Sequence, residues 1–169
     1  MSVRLFGVLA LLLAGCMQPP PVSKSEIEEK LRPGPSGFVV APNNLRIDFG
    51  RHKAGAIASV DRLLGGAKPR LLTNTECGAG PLSFATWDDG LEMVFDNETF
   101  VGWSTSSTRF VTTTGIAVGA PVSSLDGFAL TQTSLGTEFD DQGIFGVIDT
   151  STGSETVKRL WAGTTCFFR

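Results

Sequence analysis

From Pro81 to the C-terminus the chain runs in segments of five to nine residues with β character, separated by turns rich in Asp, Asn, Ser and Gly. That rhythm admits few architectures. In Leu91-Glu92-Met93-Val94-Phe95 apolar and polar positions alternate, the period of a half-buried strand. Asp88-Asp89-Gly90 precedes it and Asp96-Asn97-Glu98 follows, both turn-forming sets. Connections this short join antiparallel neighbours, because a parallel pair needs a crossover of a dozen or more residues. Pro81 to Trp87, Leu91 to Phe95 and Thr99 to Ser104 therefore read as a three-stranded meander. A similar run follows. Thr112 to Pro121 reads as a short strand and turn, and a weaker helix spans about Val122 to Ala129, with Val122, Leu125 and Phe128 or Ala129 inward. Strands follow at Thr131 to Phe139, Ile144 to Asp149 and Thr156 to Trp161, with turns at 140–143 and 150–154. Ala162-Gly163-Thr164 bends the chain into Cys166-Phe167-Phe168-Arg169.

Ahead of the first meander, Gly37 to Ala41 and Asn44 to Gly50 read as two strands joined by Pro42-Asn43. The best helical pattern is Lys53 to Leu64. Ala56, Ile57, Val60, Leu63 and Leu64 share one face, with Ser59, Asp61 and Arg62 on the other. Gly65-Gly66 caps it and Pro69 prevents its restart. The strand end Ile47-Asp48-Phe49-Gly50 and its counterpart Ile116-Ala117-Val118-Gly119 lie 69 residues apart, each feeding a helix and a meander. A duplication with halves 45–110 and 111–169 and a chance likeness both fit that pattern. The expected fold is α+β: a mostly antiparallel sheet with two short helices on one face.

The N-terminus carries an address. Arg4 is followed by an uncharged apolar run from Leu5 to Leu13, then Ala14, Gly15 and Cys16. Nine residues match a signal-peptide core and are about half of what a spanning helix needs. Leu13-Ala14-Gly15-Cys16 resembles the lipobox of bacterial lipoproteins. The resemblance implies a signal peptide at 1–15, removed before Cys16, and lipid on the Cys16 thiol and new amine. The chain would then be held at the cell envelope, facing the periplasm. Met17 rather than aspartate after the cysteine favours the outer membrane in that family. The competing reading is an ordinary cleaved signal with an incidental cysteine. Residues 16–37 read as a tether: Pro19-Pro20-Pro21 is stiff, Pro33-Gly34-Pro35-Ser36-Gly37 is a second breaker cluster, and Ser25 to Leu31 has the makings of a helical turn or two. The folded domain is expected over 38–169.

With Cys16 lipidated, Cys77 and Cys166 remain, an even pair in an oxidising compartment, so a disulfide between them is expected. A reactive thiol is the competing reading, but neither cysteine has a neighbouring His or basic cluster. Net charge is −3 with no Lys/Arg run, which argues against nucleic acid as a partner.

Residues suited to chemistry are sparse. His52, the only histidine, opens the first helix between Arg51 and Lys53. No Gly-x-Ser-x-Gly elbow supplies it with a nucleophile. One His and two paired Cys are too few to ligate zinc, and no cofactor is implied. Asp88-Asp89 and Asp140-Asp141 sit in glycine-containing turns, where Asp is favoured for bonds to the backbone, and lack the spacing of a calcium loop. Asn97-Glu98-Thr99 reads as a turn. The chain has 12 Phe and 3 Trp; most suit a core, and Trp87, Trp103 and Trp161 are the candidates for an exposed binding patch.

Two further resemblances bear on function. Gly-Ile-Ala-Val-Gly at 115–119, before a helix and antiparallel strands, resembles small envelope modules of the BamE/OmlA and β-lactamase-inhibitor-protein type. Leu45 to Gly50, Glu76-Cys77-Gly78-Ala79-Gly80, Phe100-Val101-Gly102-Trp103 and Ala162 to Arg169 resemble an uncharacterised group of alphaproteobacterial lipoproteins sometimes labelled aspartate-semialdehyde dehydrogenase. No Gly-x-Gly-x-x-Gly or alternating βαβ pattern supports that label. The expected function is a non-enzymatic, lipid-anchored domain that binds an envelope protein or serves as a structural accessory. The alternative is a periplasmic hydrolase acting on cell-wall material through His52 or a turn carboxylate.

Overall fold

The short segments do assemble as antiparallel neighbours, in two sheets. The computed structural model describes residues 30–151, 153 and 155–167. The signal segment 1–15, Cys16, the tether up to residue 29, most of the helical stretch beginning at Ser25, and Phe168-Arg169 lie outside the described residues. Strands β1 (Leu31–Gly34), β2 (Gly37–Val40) and β3 (Leu45–Asp48) form a small antiparallel sheet in that order. Helix α1 (Lys53–Leu63) follows. The remaining strands are β4 (Arg70–Asn74), β5 (Leu82–Thr86), β6 (Leu91–Asp96), β7 (Thr99–Thr105), β8 (Leu130–Thr133), β9 (Gly136–Asp141), β10 (Ile144–Asp149) and β11 (Thr156–Gly163). They make one eight-stranded antiparallel sheet, ordered β4-β5-β6-β7-β11-β10-β9-β8. The chain is thus α+β. Each expected half contributes one four-stranded meander, and the meanders join through their last strands, Leu160 opposite Thr105 and Ala162 opposite Trp103.

Pleating gives the large sheet two different faces. Ala85, Leu91, Met93, Trp103, Ile144, Leu160 and Ala162 point to a core shared with Leu31, Phe38 and Ile47 of the small sheet and Ala56 and Val60 of α1. Phe38 stacks on Phe100 at 5.7 Å, and Trp103 Nε1 donates to the Gly34 carbonyl at 2.8 Å, tying the two sheets together. The other face carries a smaller cluster, Leu82, Phe84 and Val94 with Cys77. There the C-terminal segment crosses β7 so closely that a Cβ on Gly102 would lie 1.9 Å from the Thr164 carbonyl oxygen.

Several expectations are corrected. Leu31–Gly34, assigned to the tether, is a strand paired with β2, and Leu31 is fully buried. Its Pro-Gly-Pro-Ser-Gly run makes the hairpin turn rather than a spacer. The second helix reduces to one 3₁₀ turn, Val122–Leu125. Pro121, two serines, Asp126 and Gly127 (φ +94°) give it little helical propensity. Thr112 to Val118 is not a strand: Thr112 Oγ1 donates to the Ile116 carbonyl and accepts from the Ile116 amide, closing a local turn. Thr131 to Phe139 is two strands, β8 and β9, divided at Ser134-Leu135. Strand β4 was not foreseen. Asp61, placed on the solvent face of α1, is buried.

Candidate functional site

Strand β4 begins just beyond the Gly65-Gly66 stop of α1, after Pro69. On one side it pairs with β5, from Arg70 opposite Thr86 to Asn74 opposite Leu82. On its other side no strand lies among the described residues. Register puts Leu71 on the face of Ala85 and Leu72 on that of Phe84, yet both are more than half exposed, at 61% and 65%. The C-terminal end of the strand is held firmly. Asn74 Oδ1 accepts the Glu76 amide at 2.8 Å, and Cys77 is joined to Cys166 by the expected disulfide. Asn74 Nδ2 also lies 3.4 Å from Cys166 Sγ. An edge like this offers a row of unpaired N–H and C=O groups flanked by apolar side chains, the geometry that accepts an added strand. The far edge, β8, is shorter and folds back at once into β9; Thr133 Oγ1 is tied to Gly136 and Glu138 there.

The tryptophans expected at a binding surface are core residues. Trp87, Trp103 and Trp161 are 2%, 0% and 2% exposed. Trp87 Nε1 donates to the Ala67 carbonyl at 2.8 Å and to Asp61 Oδ1 at 3.1 Å. Trp161 stacks on Phe145 and meets Phe167 edge-on. Each indole has an apolar body that a strand face can bury, and the Nε1 donors of Trp87 and Trp103 find carbonyl partners inside. Among the described residues the large apolar side chains left exposed are aliphatic, with Leu71 and Leu72 consecutive on β4. The only signal for them in the sequence is a leucine pair without alternation, shortly after Pro69.

The polar candidates stay apart. His52 is exposed at the N-cap of α1, its Nε2 3.7 Å from Glu98 Oε2. Asp89 accepts the Leu91 amide at 3.3 Å and pairs with Arg109 at 2.6 Å. With Asp88, Lys68 and Trp87 these two line a cleft of about 440 Å³ that His52 does not reach. Asp140 Oδ1 accepts the Gly143 amide at 2.8 Å, an ordinary turn bond. Its neighbour Asp141 is buried, and its Oδ2 has no hydrogen-bond partner among the described residues. Among the described residues no three His, Cys, Asp or Glu side chains are placed to hold a metal ion. Also among them, no helix is long and apolar enough to cross a membrane. Asp149 has its carboxyl lowered below the ordinary value, chiefly by the hydrogen bond from Ser151 Oγ at 2.6 Å and then by the Ser151 amide at 2.9 Å.

No family model matches the chain, and no curated protein matches it. Among solved structures it is similar to the uncharacterized protein YfeY from Escherichia coli, with a TM-score of 0.54 and 14% identity over 79% of this chain and 99% of that one. At that identity the likeness concerns the fold.

Proposed function

We propose that this chain is a lipid-anchored protein of the bacterial cell envelope whose periplasmic domain binds another protein by adding that partner's strand to β4. The carrying observation is the open β4 edge, exposed at all five residues and bearing Leu71 and Leu72. An edge left unblocked by proline, lysine or a bulge is a feature that monomeric folds avoid, and here it adjoins a disulfide that fixes its end. The bridge also supports an oxidising compartment. In this reading Cys16 carries the lipid, residues 17–29 are the tether, and the outer membrane is the site, as the lipobox resemblance and Met17 suggest. The palindromic strand order supports a duplication of the halves 45–110 and 111–169. The resemblance to BamE/OmlA-type and β-lactamase-inhibitor-type modules accords with a binding role. His52 lines neither the cleft that holds Asp88 and Asp89 nor the one that holds Asp140, which gives the hydrolase alternative no support.

A photo-crosslinking residue at Thr73 tests the binding reading in cells. A single stoichiometric protein adduct is expected, lost when Leu71 and Leu72 are both changed to Lys. Absence of an adduct at β4, with one formed from Thr131 on the opposite edge, overturns it. The anchor is tested separately: Cys16→Ser should abolish palmitate labelling, and unchanged labelling refutes the lipoprotein assignment.

A further inference from the structure

We infer that the groove between β3 and α1 is the face this domain turns to the membrane, where it takes the phosphate headgroup of an anionic phospholipid. The inference rests on the lipid-anchor reading above. The groove has a volume of about 400 Å³. Its floor is apolar, formed by Val40, Ile47 and Leu63, and its rim carries Arg51 and Arg62. Arg46, also on the rim, is already held by Asp48 at 2.8 Å. The side chains of Arg51 and Arg62 have no carboxylate or other acceptor among the described residues, and both residues are exposed. Two guanidiniums without an acceptor among the described residues, over an apolar floor, match a ligand with an anionic head and an apolar body. The guanidinium fork bonds phosphate oxygens in pairs, and the floor suits the glycerol and first methylenes. Leu45, 62% exposed at the lip, is the side chain placed to enter the interfacial layer.

The course of the chain selects a lipid over other anions. The Lys30 carbonyl accepts the Ala41 amide at 2.8 Å, Leu31 pairs with Val40, and Val40 pairs with Leu45. The chain thus enters the domain two strands from the lip of the groove, roughly 10 Å at the usual strand spacing. Thirteen residues lie between Cys16 and Lys30, a reach of at most about 50 Å when extended. A domain hung from that corner meets the bilayer with this groove at hand. The chain as a whole is acidic, with net charge −3. Attraction to an anionic surface must therefore come from a local cluster, and its range is short at physiological salt.

The test uses the purified full-length lipidated protein in vesicles of phosphatidylcholine alone or with about 30% phosphatidylglycerol, followed by amide hydrogen exchange. Residues 45–47 and 59–63 should exchange at least about threefold more slowly on the anionic vesicles, and 0.5 M NaCl should remove the difference. The paired change Arg51→Gln with Arg62→Gln should abolish it. Lys158→Glu, which alters net charge by the same amount elsewhere, should keep it. Equal exchange on both vesicles overturns the inference, as does equal loss in the Lys158 variant. Protection already complete on phosphatidylcholine assigns the groove to the chain's own Glu26–Glu29 stretch, and equal protection by 100 mM inorganic phosphate assigns it to free anions; either result refutes the lipid. Failure of the anchor reading shows separately, as a chain lacking the lipid mass on Cys16.

Discussion

Opening the Cys77–Cys166 bridge should remove a large share of the domain's stability. The two cysteines are 89 residues apart in sequence. In the chain-entropy account, closing a loop of that size removes about 15 cal/mol/K from the unfolded ensemble, or roughly 4–5 kcal/mol at 25 °C. Domains of this size have about 5–15 kcal/mol in total, so the variant should fold only marginally. With an m-value of about 2 kcal/mol/M in urea, the midpoint should fall by about 2 M. Because either cysteine alone opens the loop, Cys77→Ala, Cys166→Ala and the double variant should lose nearly the same amount. Cys77 also packs against Leu82, Phe84 and Val94, so its single variant should be the lower of the two by up to about 1 kcal/mol. Urea unfolding by tryptophan fluorescence, on oxidised wild type and the three variants, reads all four values. A double variant that unfolds within about 0.5 kcal/mol of wild type, or single losses that add, refutes the loop-closure reasoning.

Three further outcomes are expected. Gly102→Ala should cost about 3 kcal/mol or more, because its Cβ would meet Thr164 backbone at 1.9 Å, where no rotamer change gives relief; Gly55→Ala, with nothing within 4 Å on α1, should stabilise by roughly 0.5–1 kcal/mol in the same thermal melt. Asp61→Ala should cost about 1.5–3 kcal/mol by removing the charged acceptor of the Trp87 indole, whereas Lys68→Ala should cost under about 1 kcal/mol, since Lys68 is largely exposed; equal losses would place the energy in the ion pair instead. Ser151→Ala should raise the Asp149 pKa towards its ordinary value in an NMR titration. The depressed folded-state value means that Asp149 contributes stability above its unfolded pKa and loses it as the pH falls through the folded one, so the variant should be less sensitive to acid in that window.

Much of the fold is legible in local pattern. Alternation and turn residues locate β5, β6, β7, β10 and β11, and the 3.6-residue period locates α1 to within a residue. The failures have distinct causes. Strand β4 has no alternation because both its faces are exposed, so periodicity has nothing to report. In β1, Pro33 and Gly34 read as breakers, but Pro is tolerated on an edge strand and β1 is one. Around Thr112 the β-branched run suggested a strand, and side-chain bonds to the backbone closed a turn instead. Asp61 was assigned to solvent by its charge; a ring donor across the interface, Trp87 Nε1, makes its burial tolerable.

The candidate site divides the same way. The cysteine pair followed from the expectation that Cys16 carries lipid, which leaves Cys77 and Cys166 one partner choice. The tryptophans did not: residue type says that an indole favours burial with one polar contact, and only the paired strands decide which indoles obtain it. Local pattern suffices for the elements whose signal is local, namely the alternating strands, the amphipathic helix and the turns. Long-range packing set which edge of the sheet stays open, and which guanidiniums lack a partner, among the described residues. Those properties depend on what sits across a gap of a few ångströms from residues tens of positions away, and no local pattern encodes that.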